Sequence, residues 1–131
     1  MVLVEQLDKD GCAIACMAMV LGCDYYTMRS KIDACIDFLP KWGKPLFDLK
    51  FKPKEIRKIL EKFGIKTTYI KWKPENPLCI LLATLVEDPG YTHALVCSCK
   101  SICDPMFRNP QPLDHLEGCN VYCCIGIDGA F

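Results

Sequence analysis

Covalent chemistry by a thiol needs a cysteine available as its anion, a base that takes and returns a proton, and a group that orients the base. The 131-residue sequence has eleven cysteines but only two histidines, so the base narrows the choice. In DGCAIACMAMVLG, Cys12 follows the polar turn Asp8-Lys9-Asp10-Gly11 and opens an almost wholly apolar run. Asp10 is a good helix-capping residue, and the partial positive charge at a helix start favours a thiolate there. Cys16 lies one turn further in. His93 opens HALVCSC directly after the loop EDPGYT, at the mouth of an expected strand. Asp104 ends the next short apolar run, SICDP, and a turn at Lys100-Ser101 would form a hairpin that carries Asp104 back towards His93. Gln6 precedes Cys12 by six residues, and its amide can join the Cys12 backbone N–H in holding a developing oxyanion.

These residues need elements to position them. Val2 to Val4 reads as a strand or an extended arm. Cys12 to Leu21 is apolar on every side, as a buried helix is, and Gly22 ends it. Apolar residues at Tyr25, Met28, Ile32, Cys35 and Ile36 predict a second, amphipathic helix over Tyr25 to Ile36. Phe38 to Lys52, with Pro40, Gly43 and Pro45, reads as a loop. Pro53 starts a third helix with Ile56, Ile59, Leu60 and Phe63 on one face and Lys54, Lys58 and Lys62 on another, and Gly64 terminates it. The period then changes. Thr67 to Trp72, Leu78 to Val86, His93 to Cys99, Ser101 to Asp104 and Val121 to Ile127 are short, β-prone runs separated by proline and glycine. Helices first and strands later predict one α+β domain over residues 1–131, with N-terminal helices packed on a C-terminal antiparallel sheet.

Gln6, then Asp10-Gly11-Cys12 with an Ala/Met-rich buried helix behind it, then His93, then Asp104-Pro105, resembles the papain-like cysteine peptidases that process double-glycine leader peptides in bacteriocin export. It is more similar to their small stand-alone relatives in bacteria and phages. The family helix reads A-x-x-A-M-V-x-G, matched by Ala15, Ala18, Met19, Val20 and Gly22. The resemblance runs from about Val4 to Pro105 and includes the helix ending in Phe63-Gly64-Ile65. It implies a papain-like fold, Cys12 as nucleophile, His93 as general base and acid, Asp104 as the partner that orients His93, and Gln6 as an oxyanion donor. It implies a peptide or protein substrate and no cofactor. There are two departures. Gly11-Cys12-Ala13 stands where the family has Asp-Cys-Gly, adding a methyl behind the nucleophile, and only eleven residues separate His93 from Asp104. No transporter segment accompanies the motif, so double-glycine specificity is not carried over.

Composition bounds the rest. A chain of 131 residues that is 51% hydrophobic and 24% charged buries a core without staples. No apolar run reaches the roughly 18 residues of a membrane span, and MVLVEQLDKD has no secretion signal, so the expected location is the cytoplasm. An odd number of cysteines without such a signal points to reduced, buried thiols rather than a disulfide scaffold. Cys97, Cys99, Cys103, Cys119, Cys123 and Cys124 cluster in sequence, but no C-x-x-C knuckle is present, and no metal is expected. Cys97 and Cys99 are expected to share a strand face, and Cys123 and Cys124 to face opposite ways.

His115 in PLDHLEG matches no family position and reads as an exposed histidine on a helical turn. Formal charge is zero, yet Lys41 to Lys73 holds eleven Lys/Arg against Asp48, Glu55 and Glu61. That surplus reads as a solvated face, with nucleic acid not implied. Two alternatives to a peptidase stay open: an inactive papain-like binding protein that uses the basic region, and a thiol-dependent amidase or acyltransferase using the same residues.

Overall fold

The computed structural model describes residues 2–7, 11–35 and 51–128. The expected turn and cap at Asp8 to Asp10, and most of the Phe38 to Lys52 loop, lie outside them. Three helices, α1 (Cys12–Leu21), α2 (Tyr25–Asp33) and α3 (Pro53–Lys62), precede five strands. These are β1 (Thr67–Tyr69), β2 (Leu78–Leu85), β3 (Thr92–Ser98), β4 (Ser101–Cys103) and β5 (Cys119–Ile127), with a 3-10 helix at Leu113–Gly118 before the last. The chain is α+β, and its one described sheet runs β1-β5-β2-β3-β4 with every pair antiparallel.

Helix α1 is buried from Ala13 to Met19. Its small and flexible side chains let the backbone lie close to β3 and α2. Gly11 holds the N-cap position, and Gly22, left-handed at φ 75°, closes the helix with its N–H on the Ala18 carbonyl. The chain then re-enters a helix at once. Asp24 caps α2 by accepting from the Thr27 N–H at 2.7 Å, and α2 buries Tyr25, Met28 and Ile32. It stops at Asp33, three residues short of the expected end. In α3, Pro53 occupies the first turn, Glu55 accepts from the Lys52 N–H at 2.9 Å, and Ile56, Ile59 and Leu60 face the core. Arg57 ties α3 to β1: its guanidinium donates to Thr67 Oγ1 (2.9 Å) and O (3.1 Å) and lies 4.3 Å over the Tyr69 ring. Val2 to Val4 forms no strand.

Strand alternation divides the apolar residues into two cores. Ile80, Leu82, Ala94, Val96, Ile125 and Ile127 face the helices. Cys79, Leu81, Ala83, Leu95, Cys97 and Cys124 face the other way, where Trp72, Leu113 and Leu116 cover them. Cys123 packs with the first core and Cys124 with the second, as alternation requires. Cys99 does not share a face with Cys97. It sits with Lys100 in a two-residue turn, both at positive φ (50° and 68°), between strands paired Ser98 to Ser101. That backbone suits the twist of a hairpin, and the turn falls one residue earlier than Lys100-Ser101. All eleven cysteines are unpaired thiols.

Candidate active site

His93 is the second residue of β3 and lies opposite Ala83 of β2. The Cys99-Lys100 turn folds β4 back along β3, with Val96 opposite Cys103, so Asp104 emerges alongside the start of β3. Pro105 follows, and the pair is joined: His93 Nε2 lies 2.7 Å from Asp104 Oδ1. Both side chains are buried, His93 at 5% exposure and Asp104 at 4%. The short interval between them is what a two-residue hairpin needs.

Since Nε2 donates to the carboxylate, Nδ1 is the nitrogen left for a proton from elsewhere. It is buried and accepts no hydrogen bond from the described residues. The Cys12 thiol makes no hydrogen bond with Nδ1 but is near enough to His93 to raise its pKa. Burial disfavours the imidazolium, but Asp104 and Cys12 outweigh it, and the His93 pKa is pushed up from 6.5 to about 9. Burial likewise opposes the Asp104 anion, yet His93, His115 and the Met106 N–H (2.9 Å to Oδ1) hold it below its usual value. Both shifts favour the charged form of each group.

Cys16 is a contrasting case one turn along the same helix. It is fully buried, and burial first, then the charges of Cys12, Asp104 and Cys103, push its thiol well up. It stays a neutral core residue. Ala13 is buried among the residues of the helix-facing core, so its added methyl is packed into the interior.

Gln6 reaches the site from the N-terminal arm. Its backbone N–H donates to the Pro105 carbonyl at 3.0 Å, which ties the arm to the turn after Asp104, and its side-chain Oε1 is buried. Residues 8–10, which link Gln6 to α1, lie outside the described chain.

Two further residues surround the site. His115 is not an exposed histidine: its ring is 19% exposed and Nε2 lies 2.9 Å from Asp104 Oδ2. No periodicity marks it, because it stands on a short 3-10 helix, but its eleven-residue distance from Asp104 mirrors that of His93. Tyr122 is the extra residue of a β-bulge. Leu82 pairs with Cys123 and Ala83 with Val121, leaving Tyr122 between them. It is 54% exposed. Burial and the charges of Cys123 and Cys12 push its phenol up, which places it within electrostatic reach of Cys12. It also lines a groove with Tyr69, Ile70, Lys71 and Trp72.

Away from the site, the Cys79 thiol is hydrogen-bonded to those of Cys124 and Cys97, and this, ahead of burial, raises it. Among the described residues no group of three or more His, Cys, Asp or Glu is arranged to hold a metal ion. No helix among them is long and apolar enough to cross a membrane. No family model matches the chain, and no curated protein matches it.

Proposed function

We propose that the chain is a papain-like cysteine peptidase in which Cys12 is the nucleophile, His93 the general acid and base, and Asp104 the residue that orients His93. The observation that carries this reading is the buried His93 imidazole, held by Asp104 at 2.7 Å through Nε2, with Cys12 near enough to raise its pKa.

The arrangement supports a two-step reaction. The Cys12 proton passes to His93 Nδ1, forming the imidazolium that the raised His93 pKa favours, and the thiolate sulfur attacks the scissile carbonyl carbon. As the tetrahedral intermediate collapses, the imidazolium gives its proton to the departing amine nitrogen, leaving a thioester on Cys12. His93 then deprotonates a water, whose oxygen attacks the thioester carbon, and the carboxylic acid leaves as sulfur regains its proton. Asp104 stays ionised throughout and keeps the ring in the tautomer that presents Nδ1. The Cys12 backbone N–H at the α1 start and the Gln6 side chain are assigned to the oxyanion.

The test is cleavage of a diverse peptide mixture read by mass spectrometry. The reading predicts new termini that vanish with Cys12→Ser and fall at least about 100-fold with His93→Ala. Unchanged cleavage by Cys12→Ser would remove the assignment. A Cys12→Ser variant with full biological activity and a wild type that cuts nothing would favour a binding role for the basic region instead.

A further inference from the structure

Asp104 is asked to serve two histidines. A carboxylate has two oxygens and about four acceptor positions, and here Oδ1 takes His93 Nε2 and the Met106 N–H while Oδ2 faces His115 Nε2 at 2.9 Å. For this contact to be a hydrogen bond His115 must carry its proton on Nε2, leaving Nδ1 bare when the ring is neutral. The ring is held from a second side by Phe107, edge to face at 4.7 Å between centroids and 87° between planes. The strap that carries it is closed at its base: Ile102 and Gln111 exchange backbone hydrogen bonds at 2.8 and 2.7 Å, and the 3-10 helix begins two residues later. His115 therefore reaches Asp104 on a braced element that belongs to the second face of the sheet, while Cys12 arrives on α1 from the first.

We propose that His115 is a positioning residue for Asp104: its Nε2–H holds the carboxylate at Oδ2, so that Oδ1 is fixed on His93. The use made of that orientation rests on the peptidase reading, but the arrangement itself does not. Asp104 is 4% exposed, so without His115 one oxygen of a buried anion loses a donor, which favours the protonated acid. A protonated Asp104 no longer supports the His93 imidazolium. The titratable groups that face Asp104 are His93 from β3, His115, Cys16 from α1 and Cys119 from the start of β5. The two thiols are raised first by burial, with the Asp104 charge adding to it, so neither titrates in the acid range where Asp104 does.

The experiment compares wild type with His115→Phe, which keeps a ring against Phe107 but has no donor, and with His115→Gln, whose neutral amide N–H can reach the same oxygen. Two readouts are taken across pH 3 to 8: the Asp104 carboxyl carbon shift by NMR, and the rate of Cys12 alkylation by iodoacetamide mapped by mass spectrometry. In His115→Phe the Asp104 titration moves up by about one pH unit, and the acid limb of Cys12 alkylation moves with it. His115→Gln brings both back to within a few tenths of a unit. A folded His115→Phe whose Asp104 titrates as in wild type overturns the proposal, as does a folded His115→Gln that behaves like His115→Phe. If His115→Phe does not fold, the wild-type ring decides: nitrogen-15 shifts of an Nε2–H tautomer support the proposal and those of an Nδ1–H tautomer overturn it. Failure of the peptidase reading looks different, as Cys12 alkylation indifferent to His93→Ala, with the carboxyl titration still answering for His115.

Discussion

His93 is buried and yet favours its charged form, and the two partners that make this so give a pH signature. Its folded pKa, about 9, lies above the usual 6.5, so the native state binds the proton more tightly than the unfolded chain. That contribution to stability is fully present below about pH 6.5 and is lost as pH rises through about 9. Asp104 has the opposite sign. Its pKa is lowered, so its contribution is present above about pH 4 and lost as pH falls through the folded value. Both act fully only between roughly pH 4 and 6.5. Urea unfolding of wild type and His93→Gln at pH 6 and pH 9.5 should show the wild-type advantage shrinking by on the order of 2–3 kcal/mol at the higher pH. An advantage that stays constant or grows would mean the imidazolium is not the favoured native form. Gln6, Cys12, His93 and Asp104 could be picked out as candidates because thiol chemistry needs those residue types and the family resemblance supplies their order; of these, the structure joins His93 and Asp104 side chain to side chain. His115 could not be picked out, since a lone histidine between Asp114 and Leu116 carries no spacing signal and is revealed only by the carboxylate it shares.

At the scale of elements, the helices could be read because their punctuation is local. Gly22, Pro53 and Gly64 mark starts and stops that the backbone uses, whereas Asp24, which caps α2, was not read. The strands could be read from their composition, but not their joints. Nothing in CKS predicts a turn with both Cys99 and Lys100 at positive φ, a region where a side chain costs about 1 kcal/mol per residue. Replacing the pair by Asn-Gly should therefore raise stability by roughly 1 kcal/mol, seen as a higher urea midpoint with an unchanged slope. A lower midpoint would mean that the two side chains hold the turn by contacts. The bulge at Tyr122 was equally hidden, because an extra residue in a strand shows only once its partner strand is known. Gly126 is another such joint. A Cβ there would come within 2.9 Å of Ile70 Cδ1, so Gly126→Ala should cost about 1–2 kcal/mol of stability, read as a lower urea midpoint, and an additional Ile70→Ala change should recover part of that loss.

At the scale of the molecule, two apolar layers on opposite faces of one sheet account for the stability without cross-links. The cysteines serve that core as small apolar groups, and none is bridged. Addition of a thiol reductant should leave the thermal midpoint unchanged, whereas a drop of several degrees would reveal a disulfide contributing to the fold. The α+β order was legible from the change of period after Gly64. The hairpin that joins His93 to Asp104 was legible as well, one residue out at its turn, but the approach of His115 on the 3-10 helix over the second face was not.

The central claim is that position, not exposure, makes one thiol of eleven the reactive one, and a competition within the same molecule tests it. Cys99 is exposed on a hairpin turn, whereas Cys12 is half-buried at the start of α1. A limiting amount of an electrophilic thiol probe, mapped by mass spectrometry at pH 7, should label Cys12 ahead of Cys99, and His93→Ala should reverse that order in a protein that remains folded. Labelling led by Cys99 in the wild type, unchanged by His93→Ala, would contradict the account.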